Sequence, residues 1–207
     1  MNSRDSSDIR AVLFDMDGTL VDSDAVVDRS WSAWATEYGL SPATVLAVAH
    51  GNPAAATIAQ FLPDHSEAER AEAGARILQL EVDDVSDVVA TPGAPELIET
   101  LDRLGVPWAI YTSAPAQLAK VRLDAAGIAP TILLTIDDVA HGKPDPEGYL
   151  RVAELVGVPI EQCLVVEDSR VGLAAGQASG ATTAGLKGVP GDIELPDLHR
   201  LVQLFTE

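Results

Sequence analysis

Cysteine occurs once in the 207-residue chain, at position 163, and lysine three times, at 120, 143 and 187. A single cysteine excludes an intramolecular disulfide and any cysteine-rich metal site. Its place against the apolar run LVV makes Cys163 a small buried packing residue. Basic residues are scarce altogether: 13 Lys and Arg stand against 32 Asp and Glu, for a formal charge of -19. So acidic a surface repels phosphodiester backbones and anionic lipid, so neither nucleic acid nor a membrane is an expected partner. No stretch nears the roughly 18 consecutive apolar residues of a membrane span. The first ten residues, MNSRDSSDIR, lack the apolar core of a signal peptide, and a cytoplasmic protein is the expectation. The four histidines, His50, His65, His141 and His199, are scattered and form no HExxH zinc pattern. In such a chain any lysine beside a candidate anion site is informative.

The 207 residues suit one large domain or one domain with an insert, and 47% hydrophobic residues can fill a core. Residues 9–14, IRAVLF, read as a short buried strand. From Asp24 to about Ser86 the pattern turns helical. Val27, Trp31, Trp34 and Tyr38 recur at three- and four-residue steps up to Gly39, and the two tryptophans read as core packing. Pro42 and Pro53 open two further helices, and Ser66 a fourth, with Glu69 in capping-box position. After ATPGAPE, helices and strands alternate: helix 94–104, strand 107–112, helix 115–126, strand 131–135, helix 146–156, strand 163–168, helix 169–179, strand 181–186. Apolar strands alternating with helices predict an α/β fold, a parallel sheet covered on both faces. Residues 24–88 contain no strand signal and read as a helical lobe on two linkers, dividing the chain into a core of 1–23 and 89–207 and an insert of 24–88. GLAAGQASG (172–180) follows an acidic turn, so its small residues serve close helix–sheet packing rather than dinucleotide binding.

In an open parallel sheet, ligands bind beyond the carboxyl ends of the strands. Three strand ends here are chemically loaded: Asp15 and Asp17 after AVLF, Thr112 and Ser113 after WAIY, Glu167 and Asp168 after CLVV. The loop HGKPDPEG adds Lys143. Each has a bland explanation alone: a turn, a helix cap, a solvated loop lysine. Occurring together, in order and at strand ends, they predict one site. Clustered carboxylates raise one another's pKa unless a cation intervenes. Asp15, Asp17 and Asp168, with Glu167, therefore call for a hard oxygen-ligated ion, and Mg²⁺ fits because substrate phosphate completes its shell. Hydroxyls, backbone N–H groups and the Lys143 ammonium would cradle a phosphoryl group for in-line attack by a carboxylate. A neighbouring carboxylate would protonate the leaving alcohol and later activate water.

DMDGTLVDS, YTSA, GKPDPEGYL and VVEDSRVGLAAGQASG together resemble the motif series of the haloacid dehalogenase superfamily of phosphotransferases, over nearly the whole chain. The resemblance implies a Rossmann-like core with a small α-helical cap. It implies Asp15 as nucleophile and Asp17 as general acid/base, with Thr112, Ser113, Lys143 and Gly18 at the phosphate. Asp15, Asp17 through its carbonyl, and Asp168 would hold Mg²⁺, with Glu167 either a ligand or one step behind. Within the superfamily the chain resembles the glycerol-phosphate and 2-deoxyglucose-6-phosphate phosphatases. AHGNPAAATIAQFLPD matches their cap segment except that Asn52 stands where those relatives often have Arg. A small phosphorylated sugar or polyol is the implied substrate, His50 and Asn52 the implied cap contacts, and a monomer or weak homodimer the expected state.

The alternatives are separable on residues. A β-phosphoglucomutase-like phosphotransferase shares every core motif but places a histidine about ten residues past the second Asp, where this chain has Val27. A phosphonoacetaldehyde hydrolase needs a cap lysine, and none lies between residues 1 and 119. A dehalogenase has no use for Asp17. A phospho-receiver module is about 120 residues without an insert.

Overall fold

Four residues of uninterrupted apolar character, Ala11–Phe14 (β1), form a strand with no side chain exposed to water. Such a run suits only a sheet covered on both faces. The computed structural model describes residues 9–50 and 52–206; positions 1–8, 51 and 207 lie outside the description, and with them parts of the expected core segments, most of the polar leader and Gly51.

Around β1 stand Trp108–Tyr111 (β4), Leu133–Leu134 (β5), Cys163–Glu167 (β6), Thr182–Gly185 (β7) and Ile193–Glu194 (β8). They form a six-stranded sheet in the order β5-β4-β1-β6-β7-β8, every pairing parallel. The chain builds outward from β1 on one side and then on the other, so the strand order reverses between β1 and β6. That is where such sheets open a crevice.

Alternate side chains of the central strands serve two cores. Val12, Phe14, Ile110, Leu164 and Val166 pack with Ala94–Leu104 (α5), Ala116–Ala126 (α6) and Leu201 of His199–Thr206 (α9). Ala11, Leu13, Tyr111 and Val165 pack with Glu147–Val156 (α7) and Ala175 of Arg170–Ser179 (α8). Cys163 belongs to this second core, its Sγ near the carbonyls of Val158 and Pro159, and burial pushes its thiol pKa up to about 11. In α8, a Cβ on Gly176 would lie 2.8 Å from Val165 Cγ1, so the small residues do allow close helix–sheet packing.

The helical insert comprises Asp24–Glu37 (α1), Pro42–Ala49 (α2), Ala54–Phe61 (α3) and Glu67–Asp83 (α4). It has its own apolar cluster, centred on Trp31, Trp34, Ile58 and Ile77. Trp34 is fully buried, edge-on to Trp31 at 5.2 Å, and donates its indole N–H to the Ala73 carbonyl. Ser66 and Glu69 cap α4 reciprocally, as the sequence predicts. Among the described residues, no helix is long and apolar enough to cross a membrane.

Three features differ from the sequence reading. Val21–Asp22 (β2) and Val89–Ala90 (β3) pair antiparallel, zipping together the two linkers of the insert. Strand β8 and helix α9 extend the core past residue 186, with α9 packed on α5. The expected strand 131–135 shrinks to two residues because the chain turns at once into a 3-10 turn at Ile136–Asp138, capped by Thr135 and Asp138.

Candidate active site

The acidic loop after β1 folds around one carbonyl. Met16 O accepts the N–H groups of Leu20 and Val21, both at 2.9 Å, and Gly18 N–H goes to Val21 O at 2.7 Å. Gly18 has φ +78, and a Cβ there would lie 2.0 Å from Asp168 Oδ2. Only glycine admits both the backbone and the neighbour. With its N–H taken up inside the turn, Gly18 serves the site by leaving room for Asp168.

Lys143 arrives from the loop before α7. Glu147 accepts the Ala140 and His141 N–H groups at 2.8 and 2.9 Å, and Asp145 accepts the Glu147 N–H, which folds this loop. The buried ammonium donates to Asp15 Oδ1 at 2.5 Å, Glu167 Oε1 at 2.7 Å and the Tyr111 carbonyl at 3.1 Å. Its Nζ also lies 4.9 and 5.3 Å from the ring centroids of Tyr111 and Tyr149. Burial alone would lower its pKa; the charges of Asp15 and Glu167 outweigh that and hold it above the ordinary lysine value.

Glu167 is fully buried and saturated by protein donors. Oε1 accepts from Lys143 and from Tyr149 OH at 2.8 Å; Oε2 accepts from the Ser169 hydroxyl at 3.0 Å and, more weakly, its N–H at 3.4 Å. Helix α8 starts so close that a Cβ on Gly172 would fall 1.8 Å from Oε1. Asp15, Glu167 and Asp168 each offer an oxygen, all within 4.8 Å of one another. An all-oxygen donor set of this charge fits Mg²⁺. Without a cation, burial raises Asp15 well above the usual carboxylate range, with Lys143 opposing and Glu167 and Asp168 adding to the rise. Asp168 is pushed up to about 6, chiefly by burial, against the pull of Lys187 3.2 Å away.

Asp17 is held separately. Its Oδ1 accepts from Ser23 Oγ at 2.7 Å and lies 2.9 Å from Arg122 Nη1. Arg122, 3% exposed on α6, places Nη2 3.3 Å from Glu81 Oε1 of α4. Burial raises the pKa of Glu81 while Arg122 opposes the rise.

These groups open onto a cleft of about 740 Å³ between the sheet edge and the insert, within the range of small-ligand sites. Thr112 and the exposed Ser113 line it; Thr112 Oγ1 accepts the Ala114 N–H at 3.0 Å. His50 and Asn52 line it from the insert, but their side chains are engaged nearby. His50 Nε2 is 2.6 Å from Asp28 Oδ1, and Asn52 Nδ2 donates to the Val48 carbonyl at 2.7 Å, where it closes the end of α2. Val27 faces the cleft where a mutase would carry histidine.

The sequence reading did not single out Ser23, Glu81, Arg122, Tyr149 or Lys187. Two of them carried a signal. Arg122 falls on the buried stripe of α6 with Leu118, Ala119 and Leu123, and Lys187 is one of only three lysines.

Buried acids beside a cradle of donors at a strand-order reversal make a site for activating an anionic group. The family model of haloacid dehalogenase-like hydrolases matches residues 9–180. Hexitol phosphatase A of Escherichia coli is 41% identical over 172 residues, covering 83% of this chain and 80% of that protein. 2-Deoxyglucose-6-phosphate phosphatase 1 of Saccharomyces cerevisiae is 32% identical over 197 residues, covering 84% and 78%. A hydrolase from Pseudomonas syringae of known crystal structure superposes with a TM-score of 0.77 at 27% identity, over 92% of this chain and 90% of its own. The chain belongs to the haloacid dehalogenase-like hydrolase family.

Proposed function

We propose that this protein hydrolyses small sugar or polyol phosphomonoesters through a phosphoryl group carried on Asp15. The observation that carries the reading is the buried Asp15 carboxylate at the end of β1, bonded to the Lys143 ammonium and grouped with Asp168. The relatives named for hexitol and 2-deoxyglucose-6-phosphate support the substrate class. So does a cleft of about 740 Å³, sized for a small phosphorylated molecule and not for a protein loop.

Residues 24–88 act as a cap on a core of 1–23 and 89–207. Asp15, Asp168 and the Asp17 carbonyl would hold Mg²⁺, whose charge would offset carboxylate repulsion and favour the approach of a phosphate. Lys143, Thr112 and Ser113 orient the phosphoryl group, and Lys143 keeps the Asp15 oxygen aimed by its 2.5 Å bond. Asp15 attacks phosphorus, and Asp17 gives a proton to the departing alkoxide. Asp17 then takes a proton from water as that water attacks the aspartyl phosphate, which releases phosphate and restores Asp15. Glu167, with its oxygens already committed to protein donors, fixes Lys143 and stands behind the metal. Val27 offers no proton shuttle, which favours hydrolysis over a mutase reaction.

A phosphate-release screen over small phosphomonoesters, with radiolabelled substrate quenched in acid, tests the reading. Label trapped on Asp15 and preference for sugar or polyol esters are expected. Absence of label from wild-type protein turning over substrate would overturn the covalent route.

A further inference from the structure

Arg122 is the feature that the phosphoryl chemistry leaves unused. It belongs to the core, on α6, yet it faces two carboxylates at once: Asp17 of the acid/base loop at 2.9 Å and Glu81 of the insert at 3.3 Å. The side chain is 3% exposed, and among the described residues its Nε and Nη2 make no hydrogen bond. A guanidinium with unused buried donors is expensive to keep unless its charge has a task. Glu81 is 8% exposed and sits at the last turn of α4, just before the second linker. Ser23, the other partner of Asp17, ends the first linker and immediately precedes α1.

One attachment point of the insert thus reaches Asp17 Oδ1 directly, through Ser23, and the other reaches it through Arg122. The linkers themselves are tied. β2 pairs with β3, and Arg29 of α1 grips the second linker through Asp84 at 2.8 Å and Asp87 at 2.6 and 2.7 Å. Helix α4 packs directly on α6. A displacement of the insert relative to the sheet therefore has to alter the Glu81–Arg122 separation, the Ser23–Asp17 bond, or both.

We infer that Arg122 is a positioning residue that couples the placement of Asp17 to the placement of the insert through Glu81. Resting on the reading of Asp17 as acid/base, this assigns part of the control over the leaving-group step to a core helix. Arg122 also separates two carboxylates that repel each other; without it, Asp17 and Glu81 would face one another unscreened.

The test compares Arg122→Lys, Arg122→Met, Glu81→Gln and the double variant Glu81→Gln/Arg122→Met, each checked for folding by circular dichroism and melting. Two reactions are read in excess Mg²⁺: steady-state kcat on a sugar monophosphate, and the first-turnover burst on nitrophenyl phosphate, whose leaving group needs no proton. Arg122→Met is expected to lower kcat on the sugar ester at least about tenfold, within the range an acid–base group supplies. The burst rate should change less than about twofold, because Asp15 and Lys143 are untouched. Arg122→Lys should recover part of the loss, and Glu81→Gln should cost about three- to tenfold on the sugar ester alone. The double variant should be no slower than Arg122→Met. Equal losses in both reactions, or losses that multiply in the double variant, overturn the coupling. If Arg122→Met does not fold, Glu81→Gln and Arg122→Lys decide it, since an unchanged kcat on the sugar ester in both also overturns it. A wild-type enzyme with no burst and no label on Asp15 would defeat the functional reading instead, independently of any Arg122 result.

Discussion

Replacing Glu167 by Gln keeps the number of heavy atoms and leaves the cavity the same size, yet it should be among the most damaging single substitutions in this chain. The carboxylate accepts from Lys143, Tyr149 OH, and the hydroxyl and N–H of Ser169 while fully buried. Glutamine offers one acceptor oxygen and an NH₂ group that can only donate. Turned one way, the NH₂ meets the Lys143 ammonium; turned the other, it meets the Ser169 N–H, and only the Ser169 hydroxyl can rotate to accept from it. Gly172 packed against the head group leaves no space for it to swing aside. Breaking a buried ion pair by removing one partner costs about 3–5 kcal/mol. The low end applies, since the change also relieves repulsion of Asp15 and Asp168. About 3 kcal/mol in a domain of this size lowers Tm by roughly 6–12 °C. Differential scanning calorimetry reads the shift, and Mg²⁺ titration of the variant reads its second consequence. If Glu167 stands behind the metal, the midpoint should move by about ten- to a hundredfold; a direct ligand would cost more. A Tm within about 2 °C of wild type would refute the account of Glu167 as a saturated anchor for Lys143.

Asp15→Asn should abolish turnover with the fold retained, because an amide does not attack phosphorus; phosphate release near the wild-type rate would end the covalent reading. Mg²⁺ binding should release protons near pH 6 and few at pH 8, measurable by calorimetry in buffers of different ionisation enthalpy, because Asp168 is pushed up to about 6. The sign follows: a carboxyl whose folded pKa is raised favours the folded state as pH falls through that value towards its unfolded value, so Asp168 contributes instability to the metal-free protein at neutral pH. The Tm gain on adding Mg²⁺ should therefore be larger at pH 7.5 than at pH 5, with Ca²⁺ a poor substitute in activity. Asn52→Ala should shift relative kcat/KM between sugar phosphates while sparing nitrophenyl phosphate; equal losses on all substrates would make its bond to Val48 O its whole role.

The core was readable because a covered parallel sheet writes itself as apolar runs separated by amphipathic helices, and β1, β4, β6 and β7 all fall inside the expected runs. The candidate site residues were readable for a related reason: Asp15, Thr112 and Glu167 each follow or end an apolar run, so their position at a strand end needs no tertiary information. What escaped depends on pairing at long range. The β2–β3 ribbon is two residues on each side, too short for any period, and exists because the insert returns to where it left. The contact of Arg122 with Asp17 and Glu81 spans three distant segments, and Tyr149 reaches Glu167 from a helix whose pattern shows only that its face is buried. TILLT reads as extended over all five residues, whereas β5 ends at Leu134 and Thr135 starts a capped turn. His50 and Asn52 line the cleft, but their polar atoms are engaged by Asp28 and Val48, which no spacing rule reports.

The lone thiol gives this enzyme a built-in clock. Cys163 opens β6, fully buried, with a pKa pushed up to about 11, so in the folded sheet it is both shielded and protonated. A thiol reagent can react only during excursions that uncover the start of β6, where the sulfur lies against the Val158 and Pro159 carbonyls. The other end of that same strand is Glu167, and Asp168 follows it. The labelling half-life of an unmodified chain thus counts how often the strand that carries Glu167 is uncovered at its other end. Any ligand that ties Asp168 to Asp15 across the adjacent ends of β1 and β6 should lengthen it, without a single engineered reporter group.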